Sequence, residues 1–174
     1  MKFLVKYKPH SDLENMVRYQ LDLIRKKTAS GNQSGLGIDM QACIISQAFL
    51  AEALINMAGY GIFREKFRER DSYNKKRSKV LRQLDIGHIA DLHCVLDSLQ
   101  ETRNVLAHAK PSSYECETKT EEGEFSVFCQ PFDAYLNIEF LEKANTALDS
   151  LWAAMANNKL IDEYGITTTA VELS

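Results

Sequence analysis

Residues 38–58 limit the fold more than any other stretch. Ile38, Ile44, Ile45, Ala48, Phe49, Leu50, Leu54 and Ile55 leave this segment almost no polar face. A helix that is apolar nearly all round needs cover on every side, so it belongs at the centre of a helical assembly or in a subunit interface. Two side chains interrupt its most apolar face. Glu52 and Asn56 are i, i+4 and lie in line with Ile45, Ala48, Phe49 and Ile55. A carboxylate buried there requires a partner.

The flanking segments carry the same helical period. Leu13, Met16, Val17, Leu21 and Ile24 mark a first helix over about 11–28, with Ser11-Asp12-Leu13-Glu14 fitting a capping box. Gly59-Tyr60-Gly61 is expected to end the central helix, and further helices are expected over about 62–83, 85–109 and 138–157. The Gly-rich stretch 30–37 has neither a Gly-Lys-Ser ending nor a convincing preceding strand, so it is a linker and not a phosphate loop. The pattern predicts one all-α domain over 1–174: an antiparallel up-and-down bundle of four or five helices with a minor β element. Residues 2–7 read as a short extended arm. Phe125–Cys129 reads as a strand, either pairing with that arm or belonging to an insertion, 111–137, that covers the bundle. The tail, 159–174, reads as loose beyond a short helix.

Composition excludes some classes. No apolar run is expected to be long enough to span a bilayer, and the N-terminal run is too short for a secretion signal. Cys43, Cys94, Cys116 and Cys129 form no CxxC. The two in helical patterns read as buried small hydrophobes, and the set fits a reducing cytoplasm. His88 and His93 are i, i+5 and have no completing ligand set, so no metal and no cofactor is expected. His10 carries no signal. The net charge of −3 conceals a basic segment, 64–82, with nine cations against Glu65, Glu69 and Asp71. Arg64, Arg68, Lys75, Lys76, Arg77 and Lys79, with Phe67 and Tyr73 among them, suit phosphates and bases; a plain solvated face is the alternative.

The helix over 85–109 ends in Arg103-Asn104-Val105-Leu106-Ala107-His108, closed by Lys110-Pro111. Ile89, Leu92, Val95, Leu96, Leu99 and Leu106 form its apolar stripe, and Arg103 projects inside that stripe. No carboxylate sits at i±3 or i±4 from it. Arg103 must therefore meet an acid on another helix or look into a wet cleft, and Glu52 is the economical partner, with Asn56 nearby. Asn104 and His108 share a neighbouring face. The alternative is a snorkelling Arg and a His that caps the helix.

This ending resembles the HEPN superfamily, in which an Arg, commonly followed by a polar residue such as Asn, precedes a His by four to six residues at the end of a bundle helix. A polar or acidic residue on the second helix, here Glu52, often faces that motif. The resemblance covers about residues 11–110 and 138–157. It implies a homodimer with two motifs across a two-fold axis, and a metal-independent endoribonuclease leaving 2′,3′-cyclic phosphates. It further implies a cytoplasmic toxin or defence protein, with a nucleotidyltransferase-like antitoxin as a partner class and no membrane. In that chemistry His108 is the general acid/base or positions the 2′-hydroxyl, Arg103 holds the phosphoryl charge, Asn104 aligns substrate or His108, and Glu52 orients Arg103. A non-catalytic HEPN-like module binding RNA or protein is the alternative.

Overall fold

A computed structural model describes residues 2–6, 8–108, 133–165 and 168–173. The chain is mostly helical: α1 (His10–Ala29), α2 (Leu36–Phe63), α3 (Tyr73–Gln83), α4 (Ala90–His108), α5 (Ile138–Ala156) and α6 (Lys159–Tyr164). Two short strands, β1 (Lys2–Lys6) and β2 (Thr169–Leu173), pair antiparallel with Lys2 opposite Leu173 and Lys6 opposite Thr169. The helix α2 touches each of the other five helices. Its Cys43, Ile44, Ile55 and Ala58 are fully buried against Leu21 and Ile24 of α1, Leu81 of α3, Leu96 and Leu99 of α4, Leu141 and Leu151 of α5, and Ile161 of α6 in one core. By length and composition α2 could cross a bilayer, contrary to the sequence expectation, but about two-thirds of its most apolar window is buried by its neighbours.

Several boundaries differ from those expected. The first helix begins at His10 behind Pro9, with no side-chain cap, so Ser11 is inside the helix. Proline's fixed φ suits a helix start and replaces the capping box. Gly59 and Gly61 do not end α2; they are points of close packing. A Cβ at Gly59 would collide with the ring of Phe67, and one at Gly61 would lie 3.0 Å from Ile161. The helix stops at Phe63 because Arg64 takes φ 52° and ψ −129°, on the left-handed side of backbone space and outside either helical well. The Arg64 guanidinium then donates to the Leu160 carbonyl at 3.0 Å and lies over the Tyr164 ring. The expected helix 62–83 is accordingly a 3₁₀ turn, Arg64–Lys66, an irregular stretch, and α3. Asp85, also on that side at φ 56°, delays α4 to Ala90.

The described part of the tail holds a second element beyond the short helix. Asn158 caps α6 through the Leu160 and Ile161 amides, and β2 follows. The arm at 2–6 pairs with β2; the strand expected at 125–129 and most of the 111–137 insertion lie outside the described residues. Cys43 is buried as expected and its thiol is pushed up to about 12 by desolvation, whereas Cys94 is exposed, one position off the core stripe of α4. Cys116 and Cys129 lie outside the described residues.

Candidate functional site

Where α2, α3 and α4 meet, polar groups line a cavity of about 290 Å³. Glu52 comes from α2, Tyr73 and Lys76 from α3, and Gln100, Arg103 and Asn104 from α4; Glu69 and Asp71 close the side before α3. The apolar periodicity of α2 and α4 packs those helices together, and the polar interruptions in both stripes fall at this one place.

Arg103 is at the edge of its stripe, not its centre. Thr102 takes the interior position at 1% exposed. Its hydroxyl has no hydrogen-bond partner among the described residues, yet a neutral hydroxyl still costs less to bury than a guanidinium. The side chains of Arg103 and Glu52 remain 34% and 35% exposed, with Nη2 and Oε2 3.7 Å apart, an ion pair without a hydrogen bond. Arg103 Nη1 donates to Asn104 Oδ1 at 3.1 Å, and its Cζ lies 5.7 Å from the centre of the Phe49 ring. Arg103 Nε is buried with no hydrogen-bond partner among the described residues.

Lys76 is the second cation of the cavity, and the sequence did not single it out as such. It is buried; its Nζ donates to Asn56 Oδ1 at 2.8 Å and lies 3.9 Å from Glu52 Oε1. Glu52 thus stands between Lys76 and Arg103. Burial holds the Tyr73 phenol well above the usual tyrosine range, so it is a neutral donor here. Lys75 and Lys79 both donate to Asp71, at 2.9 and 3.0 Å, and hold its carboxyl below the usual range.

The six cations expected to meet RNA are therefore dispersed. Lys76 is inside the cavity. Arg77 is buried and donates to Asp97 at 2.6 Å, tying α3 to α4. Arg64 ties α2 to α6, Lys75 and Lys79 surround Asp71, and Arg68 is exposed. His108 is the last residue of α4, one turn beyond Asn104 on the same helical face. Its side chain lies outside the described part.

A second cavity, of about 510 Å³, adjoins the first. Lys8, Pro9, His10, Leu13, Phe49, Ala53, Asn56, Met57, Tyr60 and Tyr164 line it, and Glu52 and Glu69 line both cavities. Tyr60 Oη donates to Glu69 Oε2 at 3.0 Å, and that bond raises the Tyr60 pKa. His10 is buried with its ring 5.3 Å from Trp152. No local pattern marks this cavity, because one wall comes from residues 8–10 and another from Tyr164, brought together by the β1–β2 ribbon. Among the described residues no His, Cys, Asp and Glu cluster has the arrangement of a metal site. Comparison with protein-family models, curated proteins and solved structures gives no match for this chain.

Proposed function

We propose that the chain is a metal-independent endoribonuclease of HEPN type, acting as a cytoplasmic toxin or defence protein. The supporting observation is the state of Arg103. Its guanidinium opens on a polar cavity, and its nearest acid orients it without closing over it. A phosphate can enter that space and accept from a planar fork of permanent charge. Lys76 adds a second cation, Tyr73 and Asn104 can bond phosphate or sugar oxygens, and His108 lies one helical turn away. The 2′-hydroxyl attacks the adjacent phosphorus and expels the 5′-oxygen, leaving a 2′,3′-cyclic phosphate. His108 moves the protons, and Arg103 stabilises the phosphorane charge. The helices form an up-and-down bundle that dimerises, and two copies supply two His108 side chains to one composite cleft, one for the acid and one for the base.

A second reading is favoured by Glu52, Glu69 and Asp71, three carboxylates facing two cations in the cavity. A non-catalytic module would use them to receive a basic protein partner, such as an antitoxin surface. Lys75 and Lys79 offset Asp71, which leaves the wider neighbourhood cationic and favours RNA.

Cleavage separates the two. In EDTA the native chain fragments cellular RNA to cyclic-phosphate ends, and Arg103→Ala and His108→Ala each slow it about a hundredfold or more. An inactive native chain, or variants as fast as the native one, would overturn the nuclease reading.

A further inference from the structure

The larger cavity continues the phosphate cleft. Helix α2 contributes to both: Phe49, Glu52, Asn56 and Tyr60 line the larger cavity at helical spacing, Ala48 and Glu52 line the smaller, and the Glu52 and Glu69 carboxylates belong to both walls. Phe49 links the larger cavity to Arg103: its side chain lines that cavity, the Arg103 guanidinium lies over its ring at 5.7 Å, and the residue is still 41% exposed. An aromatic ring left in water next to a phosphate-holding cation is the arrangement that an unstacked base covers, since every base has a face to stack.

We infer that the larger cavity is a subsite for a single unstacked nucleobase, with guanine preferred, next to the phosphate held by Arg103 and Lys76. The position of that phosphate rests on the ribonuclease reading. The choice of base comes from the wall. Its carboxylates, Glu52 and Glu69, can only accept hydrogen bonds, while the Asn56 amide and the Lys8 ammonium on the same wall can donate to a base carbonyl such as guanine O6. Tyr60 anchors one oxygen of Glu69 and so fixes the plane of that carboxylate. Guanine presents two adjacent N–H donors on its Watson–Crick edge, which one carboxylate can accept together. Adenine and cytosine present one amino group beside a ring acceptor. Uracil presents one N–H between two carbonyls, and those carbonyls would face the carboxylates.

The test uses 2′-O-methyl RNA hexamers, which bind but cannot be cut by 2′-hydroxyl attack. An all-uridine hexamer is compared with one carrying a single guanosine, and unmodified versions are assayed for cleavage. The native chain should bind the guanosine hexamer about tenfold more tightly, the discrimination expected of a bidentate pair. Glu69→Gln should reduce that preference to less than about twofold. Phe49→Ala should weaken both hexamers about tenfold while the remaining guanosine preference persists. Both side chains are solvent-facing, and unchanged circular dichroism would verify folding. Equal binding of the two hexamers by the native chain, binding of neither, or a preference untouched by Glu69→Gln would overturn the inference. Cleavage without base preference would leave the nuclease reading standing alone. Base-selective binding without cleavage would leave the subsite standing alone.

Discussion

Lys76 as a residue is only 5% exposed, and its ammonium is held by one amide oxygen, with one carboxylate beyond hydrogen-bond range. Such a charge is costly to bury and incompletely compensated, so stability is a poor reason for its presence. Lys76→Met keeps the buried stem and removes the charge. Unfolding free energy should then change by less than about 1 kcal/mol, or rise. RNA binding should weaken and lose one unit of salt dependence, read as the slope of log affinity against log salt. Lys76→Ala, which also removes the stem, should cost about 2 kcal/mol in urea unfolding. A large loss with Met would mark Lys76 as structural. Glu52, Asn56 and Arg103 were legible in the sequence because each is a polar break in an otherwise apolar stripe. Lys76 was not: among Lys75, Lys76, Arg77 and Lys79, nothing in the run itself says which members turn inward.

Between elements, the helices announced by apolar period were legible, and their ends were less so. Arg64 and Asp85 end or delay helices at positive φ, a region usually left to glycine, while Gly59 and Gly61 allow close packing inside α2. The ribbon joining residues 2–6 to 169–173 is a contact between the two ends of the chain, and no local pattern encodes such a partner. Some ties between helices are electrostatic. Arg25 of α1 donates from Nε and a terminal nitrogen to both oxygens of Glu142 on α5, at 2.6 and 2.7 Å. That hydrogen bonding holds the Glu142 carboxyl below its usual range. The native state therefore keeps this charge to lower pH than the unfolded chain, whose Glu titrates near about 4.3. The stabilisation is whole above that value and is lost as pH falls through the lower native one. Both partners are largely solvated, so the contribution is under about 1 kcal/mol. Glu142→Gln should lower stability by no more than that at pH 7. The native chain should lose more than the variant does between about pH 5 and pH 3, and parallel urea titrations would reveal it.

On the scale of the whole molecule, α2 has more apolar surface than the described helices cover. Ile38 is 73% exposed and Ile45 is partly so; these two positions fall on one face of the helix, and that face runs on past the open Phe49 ring into the cavity holding Glu52 and Asn56. An exposed apolar row leading to a polar cleft is what a two-fold interface needs if two clefts are to become one. Pairing along this row would carry the Glu52–Arg103 cluster of one copy towards that of the other, and the proposed cleavage, with His108 alone in each chain to move protons, would depend on such sharing. Ile38 is far along the row from the polar residues, so changing it tests assembly without touching the chemistry. Ile38→Glu should leave helicity and thermal unfolding of the isolated chain intact. It should convert a species of twice the chain mass, in sedimentation equilibrium, to one of single mass. Cleavage should fall with the dimer fraction and recover at high protein concentration. A monomeric native chain that cuts RNA, or a dimer indifferent to Ile38→Glu, would require each cleft to work alone, and a second proton-transfer group would then have to be found within one copy.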